Sequence, residues 1–252
     1  MSEHARWPEL LLIARHGESA GNVARDAAEG SGAAEIEIAE RDMDVDLSEL
    51  GQQQARALGA WLAEPDRRPT VVLSSPYVRA RRTAELAIED AGLDVEIVGD
   101  ERLREREFGA LDRLTHAGIA QRYPDVAEAR ARIGKFYHRP PGGESWCDVG
   151  LRVRSFLDTV SREYGGQRVL VVAHQVVIHM FHYVIEHLDE AQILAASRER
   201  ELANCSITAF VHDPHLGRHG GMRLDRYDDV VALEEQGAPT TAEPDQPSAL
   251  AP

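Results

Sequence analysis

The chain has 252 residues, a formal net charge of −15, 43% hydrophobic residues and two cysteines. That length suits one large domain with a sizeable core, and the acidic balance argues against nucleic acid or an anionic membrane as partner. No apolar run reaches the roughly 18 residues of a membrane span, the N-terminus carries no targeting pattern, and Cys147 and Cys205 form no metal-type pair, so a reduced cytoplasmic setting is expected.

The apolar run Leu10–Ala14 predicts a buried strand that stops at Arg15-His16-Gly17. Residues 24–39 are polar, acidic and rich in Gly and Ala, and read as a long loop or a loosely helical insertion. Ser48 is placed to cap a helix that carries Ala55, Leu58 and Trp61 on one face. Thr70–Leu73 predicts a second strand. After it, Ser75 is an N-cap candidate, Pro76 suits a first helical position, and Arg79 falls in the first turn. A short strand is expected at Val95–Val98. The alternating charges of Leu103–Gly109 suggest a loop with one inward carboxylate, and 113–138 reads as helix and loop at the domain edge.

Pro140-Pro141-Gly142-Gly143 breaks the chain. Ser145 and Asp148 then resemble a capping box that opens a helix to about Tyr164. Val169–Ala173 is nearly all apolar, as in a central parallel strand. It delivers His174 to its end, and an apolar helix, Val176–Leu188, follows. Cys205–Val211 is expected as the last strand. From about Asp228 the acidic, Pro- and Ala-rich sequence reads as a disordered tail. The alternation of strands and helices implies a three-layer α/β/α sandwich with a mostly parallel central sheet. The expected organisation is a single catalytic domain over 1–227, with an acidic insertion at 24–45, a lid candidate at 110–140 and the tail at 228–252.

Two His and two Arg thus fall at or just after strand ends, where open α/β sheets bind ligands. The charge is uneven: residues 26–50 hold nine acids and one Arg, and residues 225–252 hold seven acids and one Arg. The remainder is close to neutral, so an acidic protein can still present a cationic pocket. Such a set suits phosphoryl transfer. A neutral imidazole is a nucleophile, Arg forks match phosphoryl oxygens, and a carboxyl group can protonate the leaving oxygen. His179 and His182 read as a surface or core-edge pair rather than a metal site, and Trp61 and Trp146 read as core.

Arg15-His16-Gly17-Glu18-Ser19 with Asn22 resembles the signature of the histidine phosphatase superfamily, also called phosphoglycerate-mutase-like. Asp46-Leu47-Ser48 with Gly51, Ser74-Ser75-Pro76 with Arg79-Ala80 and Thr83-Ala84, Leu103-Arg104-Glu105 with Phe108-Gly109, Pro141 to Ser145, and Ala173-His174 resemble its further motifs, in order, over about residues 10–211. The resemblance implies His16 as the phosphorylated nucleophile and Arg15, Arg79 and His174 as the phosphate pocket. It also implies Glu105 as proton donor and Asn22 as a phosphate contact, with no metal and no cofactor. Gln175 stands where the family commonly has Gly, and His179 stands where an Arg is common. A Lys and a paired Arg-Arg usual in cofactor-dependent mutases are missing, and Gly-Gly-Glu-Ser is more typical of the phosphatase branch. The expected function is a metal-independent phosphomonoesterase acting on a small phosphorylated metabolite through a phosphohistidine. A phosphoglycerate mutase-type transfer and a non-catalytic phosphate-binding protein are the alternatives.

Overall fold

The computed structural model describes residues 6–242. Its sheet has six strands in the order β3-β2-β4-β1-β5-β6. These are β1 Leu10–Arg15, β2 Val71–Ser74, β3 Ile97–Gly99, β4 Arg168–Ala173, β5 Ile207–Asp213 and β6 Gly221–Asp229. Pairings among β1 to β4 are parallel, while β5 runs antiparallel to both β1 and β6.

Two-residue periodicity along the strands builds the layers. Leu11, Ile13, Val169 and Val171 face one way, against α6 (Trp146–Glu163) and α7 (Gln175–Ile185). Leu12, Ala14, Leu170 and Val172 face the other way, against α2 (Glu49–Leu62) and α3 (Val78–Asp90). Strands buried on both faces must be apolar throughout, which is what LLLIA and VLVVA are. The result is the expected three-layer α/β/α sandwich.

After β1 the chain passes to the α2 face. After β4 it passes to the α7 face. The adjacent strands β1 and β4 therefore bracket a topological switch point, the place where open α/β sheets form a ligand crevice. Gly17 and Gly51 let the turn after β1 lie directly on the start of α2. A Cβ on Gly17 would meet the Gly51 carbonyl oxygen at 2.5 Å, and one on Gly51 would collide with the Glu18 carbonyl.

Several elements differ from the sequence reading. The insertion begins as a true helix, α1 (Ala20–Ser31), with a Ser19–Asn22 capping box, and continues as loop with a 3-10 turn at Asp42–Asp44. Ser75 is not the N-cap of α3. Tyr77 is, because Pro76 falls outside the helix, and Arg79 is the second helical residue. The edge segment folds as α4 (His116–Arg122) and α5 (Pro124–Ile133). α8 (Glu190–Glu199) follows α7, and Cys205–Val211 is not the last strand, since β6 pairs with β5. The expected disordered tail is ordered over 228–242. β6 runs to Asp229, and α9 (Val231–Gln236) buries Ala232 and Leu233 against α2. Residues 243–252 of that expectation lie outside the described residues. No described helix is long and apolar enough to cross a membrane.

Gly51→Ala tests the close approach. Ala is the better helix former by about 1 kcal/mol, so helix propensity alone predicts a gain. The collision with the Glu18 carbonyl reverses this, and we expect a net loss of about 1–3 kcal/mol in denaturant melts.

Candidate active site

Parallel pairing of β1 with β4 places Arg15 opposite Ala173. The next residue on each strand is therefore a histidine, and the His16 N–H donates to the Ala173 carbonyl at 3.0 Å. The two imidazoles lie with centroids 5.1 Å apart. Both are buried, at 3% and 0% exposure. Arg15, His16, Asn22, Arg79, Glu105 and Gln175 line one cleft. The insertion adds Ile36, Ile38, Asp42 and Val45 to this lining, and the 110–140 segment adds Asp112 and Arg113.

Hydrogen bonds fix the state of each ring. His16 Nδ1 lies 2.7 Å from the Gly17 carbonyl. A carbonyl only accepts, so Nδ1 carries the proton and Nε2 carries the lone pair. Arg79 Nε donates to that Nε2 at 3.3 Å. Burial, then the Arg79 and Arg15 guanidinium groups, push the His16 pKa well below 6.5. The ring is neutral near pH 7 with its lone pair turned to Arg79. Burial likewise lowers His174, followed by the charge of Arg79.

Ser75 acts on His174 rather than on the helix. Its Oγ accepts from the Tyr77 N–H at 3.3 Å and lies 2.8 Å from His174 Nε2. Among its described partners, Nε2 is the acceptor for the hydroxyl proton. The ring's own proton then sits on Nδ1, which is 4.0 Å from Glu105 Oε2. His174 is also the N-cap residue of α7, without a side-chain cap, and Tyr77 is the same for α3. Two helix N-termini thus add their partial positive charge to the cations.

The Glu105 loop is clasped by the Gly-Gly-Glu-Ser segment. The Glu144 N–H donates to the Glu107 carbonyl at 2.9 Å, and Arg106 Nε donates to the Glu144 carbonyl at 2.7 Å. Arg152 of α6 pairs with Glu144 and donates to the Glu105 carbonyl at 3.3 Å. Glu105 Oε1 accepts from the Arg106 N–H at 2.7 Å, leaving Oε2 toward His174. Gly143 has no room for a Cβ, which would lie 2.5 Å from the Glu107 carbonyl oxygen. Asn22 spends its Oδ1 on Ser19, accepting from its N–H and Oγ. Its Nδ2 remains the donor toward the cleft.

Every expected site residue therefore gathers at the ends of β1 and β4. Sequence reasoning missed Asp42, which covers the outer side of Arg79. Its carboxylate lies 3.1 Å from Arg79 Nη1, and its carbonyl accepts from the same nitrogen at 2.6 Å. It also missed the Ser75–His174 bond, for which a serine before proline gives no signal. His179 and His182 form no metal cluster with other described residues. His179 Nδ1 instead lies 2.8 Å from the Tyr227 hydroxyl, and its ring stacks on Trp146.

A family model described as the histidine phosphatase superfamily (branch 1) matches residues 11–223. The chain belongs to this superfamily. It is similar to the 2,3-bisphosphoglycerate-dependent phosphoglycerate mutase of Methylobacterium radiotolerans, with 35% identity over 187 residues covering 73% of this chain and 82% of that protein. Among solved structures, it is similar to mycobacterial glucosyl-3-phosphoglycerate phosphatase in complex with inorganic phosphate. That match has 29% identity and a TM-score of 0.66, and covers 88% of this chain and 98% of the other. YhfR of Bacillus stearothermophilus superposes with a TM-score of 0.71 and 26% identity, over 89% of this chain and 98% of its own. Membership supports a phosphoryl-transfer enzyme, and both mutases and phosphatases stand among the relatives.

Because His16 and His174 are both depressed by burial and by Arg79, lowering the pH through 6.5 should leave both rings neutral. The imidazole NMR shifts of both rings should stay flat through that range. Arg79→Gln removes a cation from both and should move both titrations up toward 6.5.

Proposed function

We propose that this member of the histidine phosphatase superfamily is a phosphomonoesterase that acts through a phosphohistidine on a small phosphorylated metabolite. The neutral His16 imidazole is the nucleophile. Its Nε2 attacks phosphorus in line, forming the N–P bond as the P–O bond to the leaving group breaks. Arg15, Arg79 and the His174 Nδ1–H stabilise the charge on the equatorial oxygens. Asn22 Nδ2 adds a further phosphate contact. Protonated Glu105 supplies the proton to the departing alkoxide. The Glu105 carboxylate then takes a proton from water as that water attacks phosphorus. The N–P bond breaks, and inorganic phosphate and neutral His16 are released.

Asp42 carries the choice of hydrolysis over isomerisation. A mutase must retain a doubly phosphorylated intermediate beside its nucleophile. In this cleft a carboxylate already lies on Arg79, and Asp112 adds a second acid to the lining. Like charges at this range, in a partly water-excluded cleft, disfavour a second phosphate by more than they would in bulk water. Arg113 offsets Asp112, from which it lies 4.0 Å, and is tied to the Ile38 and Glu40 carbonyls, which leaves the Asp42 carboxylate on Arg79 as the main obstacle. The mutase reading is supported by the names of the curated relatives, and by Arg25, a cation in the same lining.

After EDTA treatment, the wild-type chain should hydrolyse a generic aryl phosphate, and His16→Ala should lose at least about 10³-fold in kcat. Activity abolished by EDTA, or retained in His16→Ala, would overturn the mechanism. Asp42→Asn should raise turnover of a bisphosphate relative to a monophosphate. A wild-type chain that isomerises phosphoglycerate faster than it hydrolyses any monoester would instead establish the mutase reading.

A further inference from the structure

The turn that carries His16 is held from behind by the C-terminal segment. Asn204 Nδ2 donates to the His16 carbonyl at 3.0 Å. Gln54 Oε1, from α2, accepts the Glu18 N–H at 2.9 Å. Both side chains are fully buried. Their far ends meet on one residue, Thr241. Its hydroxyl donates to Asn204 Oδ1 at 3.0 Å and accepts from Gln54 Nε2 at 3.0 Å. The Thr241 carbonyl accepts from the Asn204 N–H at 2.8 Å, and the second Gln54 Nε2 hydrogen goes to the Pro239 carbonyl at 2.9 Å.

A primary amide has two chemically opposite ends, and which end faces which way is set by its partners. Thr241 presents a hydrogen to one amide and a lone pair to the other. It thereby turns the Asn204 nitrogen toward the His16 carbonyl and the Gln54 oxygen toward the Glu18 N–H. Flipping either amide would set oxygen against oxygen, or N–H against N–H, in a buried site where an unmade hydrogen bond costs about 1–3 kcal/mol. Beside them, the Cys205 N–H donates to the Arg15 carbonyl at 3.1 Å, from a left-handed backbone at φ 54 that a non-glycine residue adopts at a cost. Arg15 and His16 are thus bonded to the Asn204–Cys205 turn, and Glu18 to α2.

We propose that Thr241 is a positioning residue for the nucleophile: through Asn204 and Gln54 it fixes the backbone on both sides of His16, and so the aim of His16 Nε2 at the bound phosphoryl group. The proposal rests on His16 being the nucleophile. Its energetic consequence falls on the rate rather than on binding. The phosphate-facing guanidinium of Arg79 stands on a separate helix, whereas a small misplacement of the attacking atom costs rate steeply.

The test uses the full chain, with Thr241→Val to remove both hydrogen bonds at nearly constant shape and Thr241→Ser to restore them. Aryl phosphate kinetics are read beside amide hydrogen exchange. For Thr241→Val we expect kcat lower by about tenfold with KM unchanged. Exchange should be faster at Gly17 and Glu18, with β4 protection as in the wild type. Thr241→Ser should return both readouts to wild-type values. A Thr241→Val chain with wild-type kcat overturns the proposal. So does one whose protection falls equally across β4, which makes the strap a general stabiliser, and so does failure of Thr241→Ser to restore. If the wild-type chain hydrolyses no aryl phosphate, the functional reading fails by itself. The exchange comparison at Gly17 and Glu18 then decides the strap alone.

Discussion

The pairing of β1 with β4 is the constraint on which the rest of the site depends. Six residues of each strand align in parallel register, and the last pair is Arg15 with Ala173. Continuing each chain by one residue puts two imidazoles side by side in the crevice where the connections part to opposite faces. No loop has to search for this geometry, because the sheet hydrogen bonds determine it. The apolar strands pay for it: their burial on both faces supplies the stability against which two neutral imidazoles and two guanidinium groups are kept out of water.

Concentrating cations in a buried place demands compensation. Among the partners of these cations are backbone carbonyls and the Asp42 carboxylate. Arg15 donates to the Leu202 carbonyl, and Arg79 to the Asp42 carbonyl and carboxylate. The histidines add no charge, since burial and the same cations hold them neutral. The cleft is therefore cationic through arginine alone. Arg79 thus already has an anionic partner in Asp42, and its guanidinium is not bare.

Much of this was legible in the sequence, for identifiable reasons. LLLIA and VLVVA had to be buried strands because nothing polar interrupts them. Ser48 and Ser145 marked real helix starts, because N-cap chemistry is local; each accepts a backbone N–H three residues on. Features set by partners distant in sequence were not legible. β6 is a sheet-edge strand that is mostly exposed or half-buried, with no strict two-residue alternation, so Gly221–Asp229 looks like polar loop. α9 is six residues long and lies in acidic, Pro-rich surroundings, and its signal is no more than the pair Ala232 and Leu233. Asp42 resembles any other acid of a charged stretch until the fold lays it on Arg79. Thr241 lies 37 residues from Asn204 and 187 from Gln54, and no local pattern links them.

The two sides of the site are built by different means, and this divides the labour of the protein. The rear, behind residues 15 to 18, is sheet, buried amide and backbone, with partners satisfied in one orientation. The front, over the cleft, is the insertion and the Phe108–Arg113 loop, joined by contacts such as the Ile36 N–H to the Arg113 carbonyl and Arg113 to Glu40. Buried, fully paired groups open only with large parts of the fold, whereas exposed loop contacts open locally at little cost. Attack at phosphorus needs the first kind of holding, because its geometry is the same for every ester. Choice of ester needs the second, because leaving groups differ. On the proposed mechanism, a chain that kept its rear network and varied residues 24–45 and 108–113 is expected to keep its chemistry and change its substrate.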